Sequence, residues 1–330
     1  MTQASSGEGT GGATNHDAHD LGPRFEKALL EACKGQLTDL HWFRSDWQYG
    51  GAATAFATYN LPESPPRSVV VKFPVGEREY RVLTGLAEAD APSPRLAFHG
   101  ESLNHTPLLW VVMERLPGTP AAAHLHKEVL PHLIDAAVAF YKVCDGRIKL
   151  DPPKHTDWPA LLERARQAIH DNPTIPHAAE WAAAVRHVMK SLPRLLTIWD
   201  ARTLNAICHG DLHPGNCMER PEGSPWGEPG HILFDFAESH KGHWVEDAVY
   251  IERMYWARPK VLDGIKPVTM FARARRAQGL TADDDYMTLA NVRRALMAAT
   301  SPAFLETEGS RPYMAAALET LDGVLKQFRI

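Results

Sequence analysis

The chain has 330 residues, of which 44% are hydrophobic and 23% charged, the usage of an ordinary globular protein rather than a fibrous or disordered one. Forty acidic against thirty-five basic residues leave a formal charge of −5, without the broad basic field that nucleic acid or an anionic membrane attracts, so neither is expected as a partner. No apolar run approaches the roughly 20 residues of a membrane span, and the N-terminus lacks the charged start and apolar core of a signal peptide, so a cytoplasmic protein is expected.

In chain order, residues 1–21 are rich in Gly, Ser, Thr and Ala and are expected to form a disordered tail. From Pro23 onward, Phe25, Leu29, Leu30 and Cys33 recur at helical spacing, with Pro23 near the first turn, where its missing N–H costs nothing. Residues 47–59 and 68–73 read as two strands joined by NLPESPPR, a hairpin with a loose turn, and Gly50 and Gly51 sit where the first strand would bend. Alternation in the second strand puts Val70 and Lys72 on one face and Val69, Val71 and Phe73 on the other. Tyr80, Leu83 and Leu86 mark a helix over residues 77–89 that carries Glu79, and two further strands, around 96–99 and 108–113, complete a small sheet. After Glu114-Arg115-Leu116-Pro117-Gly118 the pattern turns helical, over 130–144, 158–170, 178–191, 245–257, 268–278, 283–299 and 312–328. A β-rich first third followed by an α-rich remainder describes an α+β, two-lobed fold with a cleft between its lobes, divided at residues 22–116 and 117–330.

The stretch with most chemical content is Cys208-His209-Gly210-Asp211-Leu212-His213-Pro214-Gly215-Asn216, followed by the strand His231-Ile232-Leu233-Phe234 and then Asp235-Phe236-Ala237-Glu238. Moving a phosphoryl group needs an acceptor hydroxyl oriented and its proton received, which Asp211 can do. It also needs a metal held by hard oxygens, which Asn216 and Asp235 supply. Pro214 and Gly215 allow a loop tight enough to turn Asp211 and Asn216 into one cleft. A plain polar turn and a strand ending in a helix cap would use the same residue types. Cys208, His209, His213 and Cys217 also form a C-H-x3-H-x3-C run that could hold zinc, although structural zinc sites favour closely paired ligands. The four cysteines, Cys33, Cys144, Cys208 and Cys217, are scattered and read as reduced thiols.

Taken together, H-G-D-x4-N, the later D-F, the upstream V-V-V-K ending at Lys72 and a glutamate on the following helix resemble the aminoglycoside phosphotransferase and choline kinase family, distant relatives of protein kinases. The resemblance implies a protein-kinase-like fold with a β-rich nucleotide-binding lobe and a helical lobe for catalysis and the acceptor. It implies ATP and Mg2+, with Lys72 reaching the α and β phosphates, Glu79 holding that lysine, and Asp211 as catalytic base with Asn216 and Asp235 on the metal. Backbone groups near Glu114 and Leu116 would bond the purine, and Gly50 and Gly51 would form the hairpin over the phosphates. His209 would shape the catalytic loop and Asp247 would brace it. Ala237 stands where a protein kinase has the Gly of D-F-G, and G-x-G-x-x-G is absent; both point to a small-molecule hydroxyl rather than a protein as substrate. Phe140-Tyr141-Lys142 departs from the Leu-His that the family often shows in its first large-lobe helix.

The acceptor is less legible. From His240 to Ile330 there are eleven acids against thirteen bases, not the acidic surface that a polycationic aminoglycoside calls for. The run Asp283-Asp284-Asp285 reads as readily as a helix cap and first turn. Trp244, Tyr250, Tyr255 and Trp256 could line an apolar or quaternary-ammonium pocket, or be core. A nucleotide-binding regulatory protein that has lost catalysis is the alternative of the same fold.

Overall fold

The computed structural model describes residues 17–43, 52–124, 128–172, 175–283 and 285–328. Helix α1 (Asp17–Ala32) is followed by strand β1 (Leu37–Phe43), β2 (Ala53–Tyr59), β3 (Arg67–Phe73), helix α2 (Glu77–Leu86), β4 (Leu96–Leu103) and β5 (Thr106–Glu114). The five strands form one antiparallel sheet in the order β1-β2-β3-β5-β4. In β3 the expected alternation holds: Val69, Val71 and Phe73 are buried and Val70 and Lys72 are not. Phe25 and Leu29 of α1 pack on the buried face, so α1 and the sheet enclose a first core.

Three differences from the sequence reading have local causes. Of the tail expected over 1–21, residues 1–16 lie outside the described residues, while the chain is already helical from Asp17, with Pro23 inside α1. Leu21 packs on the first core and Glu26 accepts a hydrogen bond from the Trp42 indole at 2.7 Å, which anchors the turns on either side of Pro23. At Gly22 the helix touches Trp42 so closely that a Cβ would sit 2.6 Å from the ring. Strand β1 was not anticipated because its period of two is broken: Asp39 is left-handed (φ 53°) and the register slips between Thr38 and His41.

The remainder is helical around two small ribbons. Helices α3 (Val129–Cys144), α4 (Trp158–Asp171) and α5 (Ala178–Asp200) precede β6 (Ala206–Cys208), β7 (Cys217–Arg220), β8 (Gly230–Leu233) and β9 (His240–Gly242). Helices α6 (Val245–Met254), α7 (Pro267–Ala277), α8 (Tyr286–Thr300), α9 (Leu305–Glu308) and α10 (Arg311–Phe328) close the chain. Strand β6 pairs with β9 and β7 with β8, both antiparallel. Helix α5 runs nine residues past the expected end at Ser191, through Pro193, because Leu192, Leu195 and Trp199 keep its far half buried. A second, larger core joins α2 to these helices. No described helix is long and apolar enough to cross a membrane.

One buried ion pair ties the end of the sheet to the helical part. Arg220, at the end of β7, donates to both carboxylate oxygens of Glu114, at the end of β5, at 2.7 and 2.5 Å, and both residues are at most 3% exposed. Removing one partner strands a buried charge, so Arg220→Met should cost about 3–5 kcal/mol in urea unfolding, and adding Glu114→Gln should recover much of that loss.

Candidate active site

The loop after β6 is built by turn chemistry and held by one carboxylate. Gly210 is left-handed (φ 85°) and a Cβ there would lie 2.1 Å from the Glu238 carbonyl oxygen, so only glycine fits. Asp247, 1% exposed in the first turn of α6, accepts from the His209 N–H (2.8 Å), the Gly210 N–H (2.9 Å) and the Tyr141 hydroxyl of α3 (2.8 Å). The bracing expected of Asp247 is therefore direct. Tyr141, which departs from the family pattern, is part of it, a role that no local spacing signals because the pair is separated by 106 residues.

His209 is buried and lies against the Phe236 ring; its Nε2 contacts the Phe234 carbonyl at 3.1 Å, which makes Nδ1 the acceptor of the Asp211 N–H at 3.4 Å. Burial, partly offset by Asp247, holds its pKa below the ordinary value, which suits a neutral positioning residue. His213 Nδ1 accepts from the Gly215 N–H at 2.9 Å and starts the 3-10 turn Pro214–Asn216, leaving Nε2 3.5 Å from Asp211 Oδ2. Asp211 also accepts from the Tyr250 hydroxyl (2.6 Å) and from Asn216 Nδ2 (3.0 Å). His213 foremost, then Tyr250 and Asn216, hold its carboxyl well below the usual carboxylate range against the effect of partial burial. Tyr250 as a partner of Asp211 was not foreseen in this role.

Asp235 follows β8 in a left-handed conformation (φ 65°), beside the loop through the Phe234 N–H, which donates to the Asn216 carbonyl at 3.1 Å. Phe236 stacks on Phe140 of α3 (5.2 Å, 11°), pinning the strand end. Lys72 reaches Glu79 of α2 with both carboxylate oxygens at 2.7–2.8 Å. Burial raises the Glu79 pKa, Lys72 opposes that, and the Asp235 charge adds to it. A carboxylate whose charge still acts on Glu79 places Asp235 at the same end of the cleft.

Between the sheet and the loop lies a cavity of about 770 Å3 lined by Phe43, Phe56, Val70, Met113, Met218 and Phe234, with the Glu114–Gly118 segment along one edge. Phe43 stacks on Phe56 (4.2 Å), and the Arg115 guanidinium lies over the Phe56 ring at 3.6 Å. The Glu114 N–H is taken by the Arg95 carbonyl and its side chain by Arg220, whereas the Leu116 N–H makes no hydrogen bond among the described residues. Gly50 and Gly51 lie outside the described residues.

Other sequence readings are corrected. The C-H-x3-H-x3-C run does not converge: among the described residues the group with metal-ligand spacing is Cys208, His240 and Glu246, while His213 is a turn cap. The cysteines are all free and buried, as expected of reduced thiols. Trp244 and Tyr255 are core and Trp256 stacks on Tyr313, so the four aromatics form no common pocket. Asp285 is the N-cap of α8 without a side-chain cap bond, Asp283 instead binds His243 and Asn205, and Asp284 lies outside the described residues.

The sequence matches, over residues 50–287, the family model described as a phosphotransferase enzyme family. No curated protein matches it. Among solved structures, a Ralstonia eutropha JMP134 protein provisionally described as an aminoglycoside phosphotransferase is 18% identical, with a TM-score of 0.54 over 90% of this chain and 98% of its own. An aminoglycoside phosphotransferase from Alicyclobacillus acidocaldarius subsp. acidocaldarius DSM 446 is 14% identical, with a TM-score of 0.53 over 89% and 92%. These likenesses agree with the two-lobed, protein-kinase-like α+β fold.

Tyr141→Phe removes one of the three donors on Asp247 without changing the shape of the core. A hydrogen bond to a charged acceptor contributes about 1.5–3 kcal/mol, so urea unfolding of the variant should show a loss of that size.

Proposed function

This chain belongs to the phosphotransferase enzyme family, and from that premise we propose that it transfers the γ-phosphoryl group of ATP, with magnesium, to a hydroxyl of a small molecule, with Asp211 as the base. In this reading residues 22–116 form the nucleotide lobe and 117–330 the lobe for catalysis and the acceptor. The observation that carries it is the meeting of three chemistries at one cleft. A lysine is paired to a buried glutamate, hard oxygens from Asn216 and Asp235 stand beside the loop, and Asp211 is kept ionised by its neighbours.

The donor set fits magnesium. Asn216 commits its Nδ2 to Asp211, leaving Oδ1 without a hydrogen bond, and the Asp235 carboxylate has neither hydrogen bond nor ion pair among the described residues. When bound there, the metal would neutralise charge on the phosphate oxygens. The apolar slot with the open Leu116 N–H suits a purine, and Lys72, held by Glu79, suits its phosphates. Asp211 accepts the hydroxyl proton as the acceptor oxygen bonds to the γ phosphorus and the bond to the bridging oxygen breaks, releasing ADP. Tyr250 donates to the Asp211 Oδ1 that the incoming hydroxyl needs, so it either shares or yields that oxygen.

The carboxylates of α6 are already engaged: Glu246 by Arg202, Asp247 by the loop, and Glu252 by Arg294 at 2.7 Å. That leaves no acidic cluster on this helix for a polycation, and an acceptor of low charge fits better.

Magnesium-dependent ADP formation should be measured for the wild type and Asp211→Ala against amino alcohols, aminoglycosides, macrolides, sugars and nucleosides. The expected outcome is one acceptor class that stimulates the wild type and not the variant; stimulation of both would remove Asp211 from the reaction. The pH profile gives a second check. A depressed pKa keeps Asp211 deprotonated until pH falls below the ordinary carboxylate range, so kcat/KM should hold flat on the acid side to that point. His213→Ala, which removes the foremost cause of the depression, should move the acid limb to higher pH.

A further inference from the structure

A second cavity, of about 360 Å3, shares no lining residue with the nucleotide slot. It opens between the segment before α4, the end of α5, β9, α6 and α8, and its charge is unbalanced. Lys154, Arg202 and Arg293 line it against Asp200 and Glu246, with His155 and His240 beside them.

The only buried acid of the set, Glu246, is already used. Its Oε1 accepts from Arg202 Nε (3.2 Å) and from the His243 N–H (2.9 Å), and Oε2 lies 3.5 Å from His240 Nε2. Burial alone would raise its pKa, but His240, Arg293 and Arg202 together bring it down to about 2, so it stays ionised. Arg293 acts on Glu246 through its charge alone, without a hydrogen bond to it among the described residues. Its guanidinium lies 5.5 Å from the Trp158 ring and 5.3 Å from the Trp199 ring, its Nε is buried without a hydrogen bond, and it makes no ion pair among the described residues. Arg202 covers the same Trp199 ring at 4.2 Å, so two guanidinium groups share one aromatic wall. His240, 8% exposed, contacts the Glu238 carbonyl through Nδ1 at 2.8 Å and leaves its buried Nε2 without a hydrogen bond.

Buried polar groups of this kind are normally satisfied, and the ones left open here identify what would satisfy them. A metal on Cys208, His240 and Glu246 is the competing occupant. It would sit beside two guanidinium groups, whose positive charge opposes a cation there. An oxyanion instead meets the Arg293 fork, the positive charge of Arg202, whose Nε and Nη1 already donate to Glu246 and the Trp199 carbonyl, and a lysine at the cavity wall. We propose that this cavity binds a small phosphate- or carboxylate-bearing ligand between Arg202 and Arg293. The site adjoins the catalytic loop by two routes: Glu246 precedes Asp247 in the chain, and His240 pairs with Cys208 across the hydrogen-bonded β6–β9 ribbon. An anion that stiffens β9 and the start of α6 therefore stiffens the brace of the loop.

Hydrogen exchange on the full chain, with inorganic phosphate in one arm and citrate in the other, tests this. At about ten times its dissociation constant, either anion should slow exchange roughly tenfold in peptides covering 152–158, 199–204 and 240–246. Slowing by phosphate assigns a phosphate ligand, and by citrate alone a carboxylate. In Arg293→Gln, with an unchanged circular dichroism spectrum, the slowing should be lost, and in Arg293→Lys partly kept. Slowing confined to 53–80 and 209–236 would put the anion in the nucleotide cleft and overturn the proposal. So would protection of 240–246 by zinc with none by either anion, or no protection at all. Should Arg293→Gln not fold, the location of the protection in the wild type decides the question by itself.

Discussion

The loop from His209 to Asn216 depends on the carboxylate of Asp247. Placed in the first turn of a helix, where negative charge is favoured, and buried to 1% exposure, it converts three donors from distant parts of the chain into one rigid junction. Two of those donors are consecutive backbone N–H groups, of His209 and Gly210, and the next residue is Asp211. The direction of the Asp211 side chain thus follows from α6, and the position of α6 follows from the core it shares with α3 through Tyr141. A buried carboxylate is costly without partners and strongly directional with them, so the junction has one stable arrangement.

From that junction the electrostatics of the cleft can be traced. Asp211 is surrounded by donors, from His213, Tyr250 and Asn216, which favour its charged form. Glu79, across the cleft, shows the opposite balance, with burial raising its pKa and only Lys72 opposing it. Asp235 is a third carboxylate in a strained left-handed conformation with no protein partner among the described residues, the arrangement expected where a cation is the partner. The same economy of charge explains the side-chain role of Glu114. At the edge of the slot it faces Arg220, fixing the sheet to the β7–β8 ribbon rather than touching a ligand.

Much of this was legible in the sequence where the determinants are local. The loop from His209 to Asn216 was readable because turn residues and chemical residues lie within eight positions, and the split of β3 into two faces followed from its strict alternation. Strand β1 escaped because a left-handed Asp39 and a register slip erase its period, and α5 was cut short at Ser191 because local propensity cannot see the buried Trp199 beyond it. Tyr141 and Tyr250 were visible as letters but not as partners, since their carboxylates lie 106 and 39 residues away. The zinc reading failed for the complementary reason. Adjacent letters in C-H-x3-H-x3-C diverge in space, and the set that converges, Cys208, His240 and Glu246, is drawn from three elements.

The central claim is that Asp235 with Asn216 makes nucleotide binding depend on magnesium. Calorimetric titration of the wild type and Asp235→Asn with ADP, with and without magnesium, tests it most directly. The account predicts that the wild type binds ADP markedly tighter with the metal and that the variant binds equally weakly in both conditions. Wild-type affinity indifferent to magnesium, or a variant that keeps the full metal effect, would contradict it.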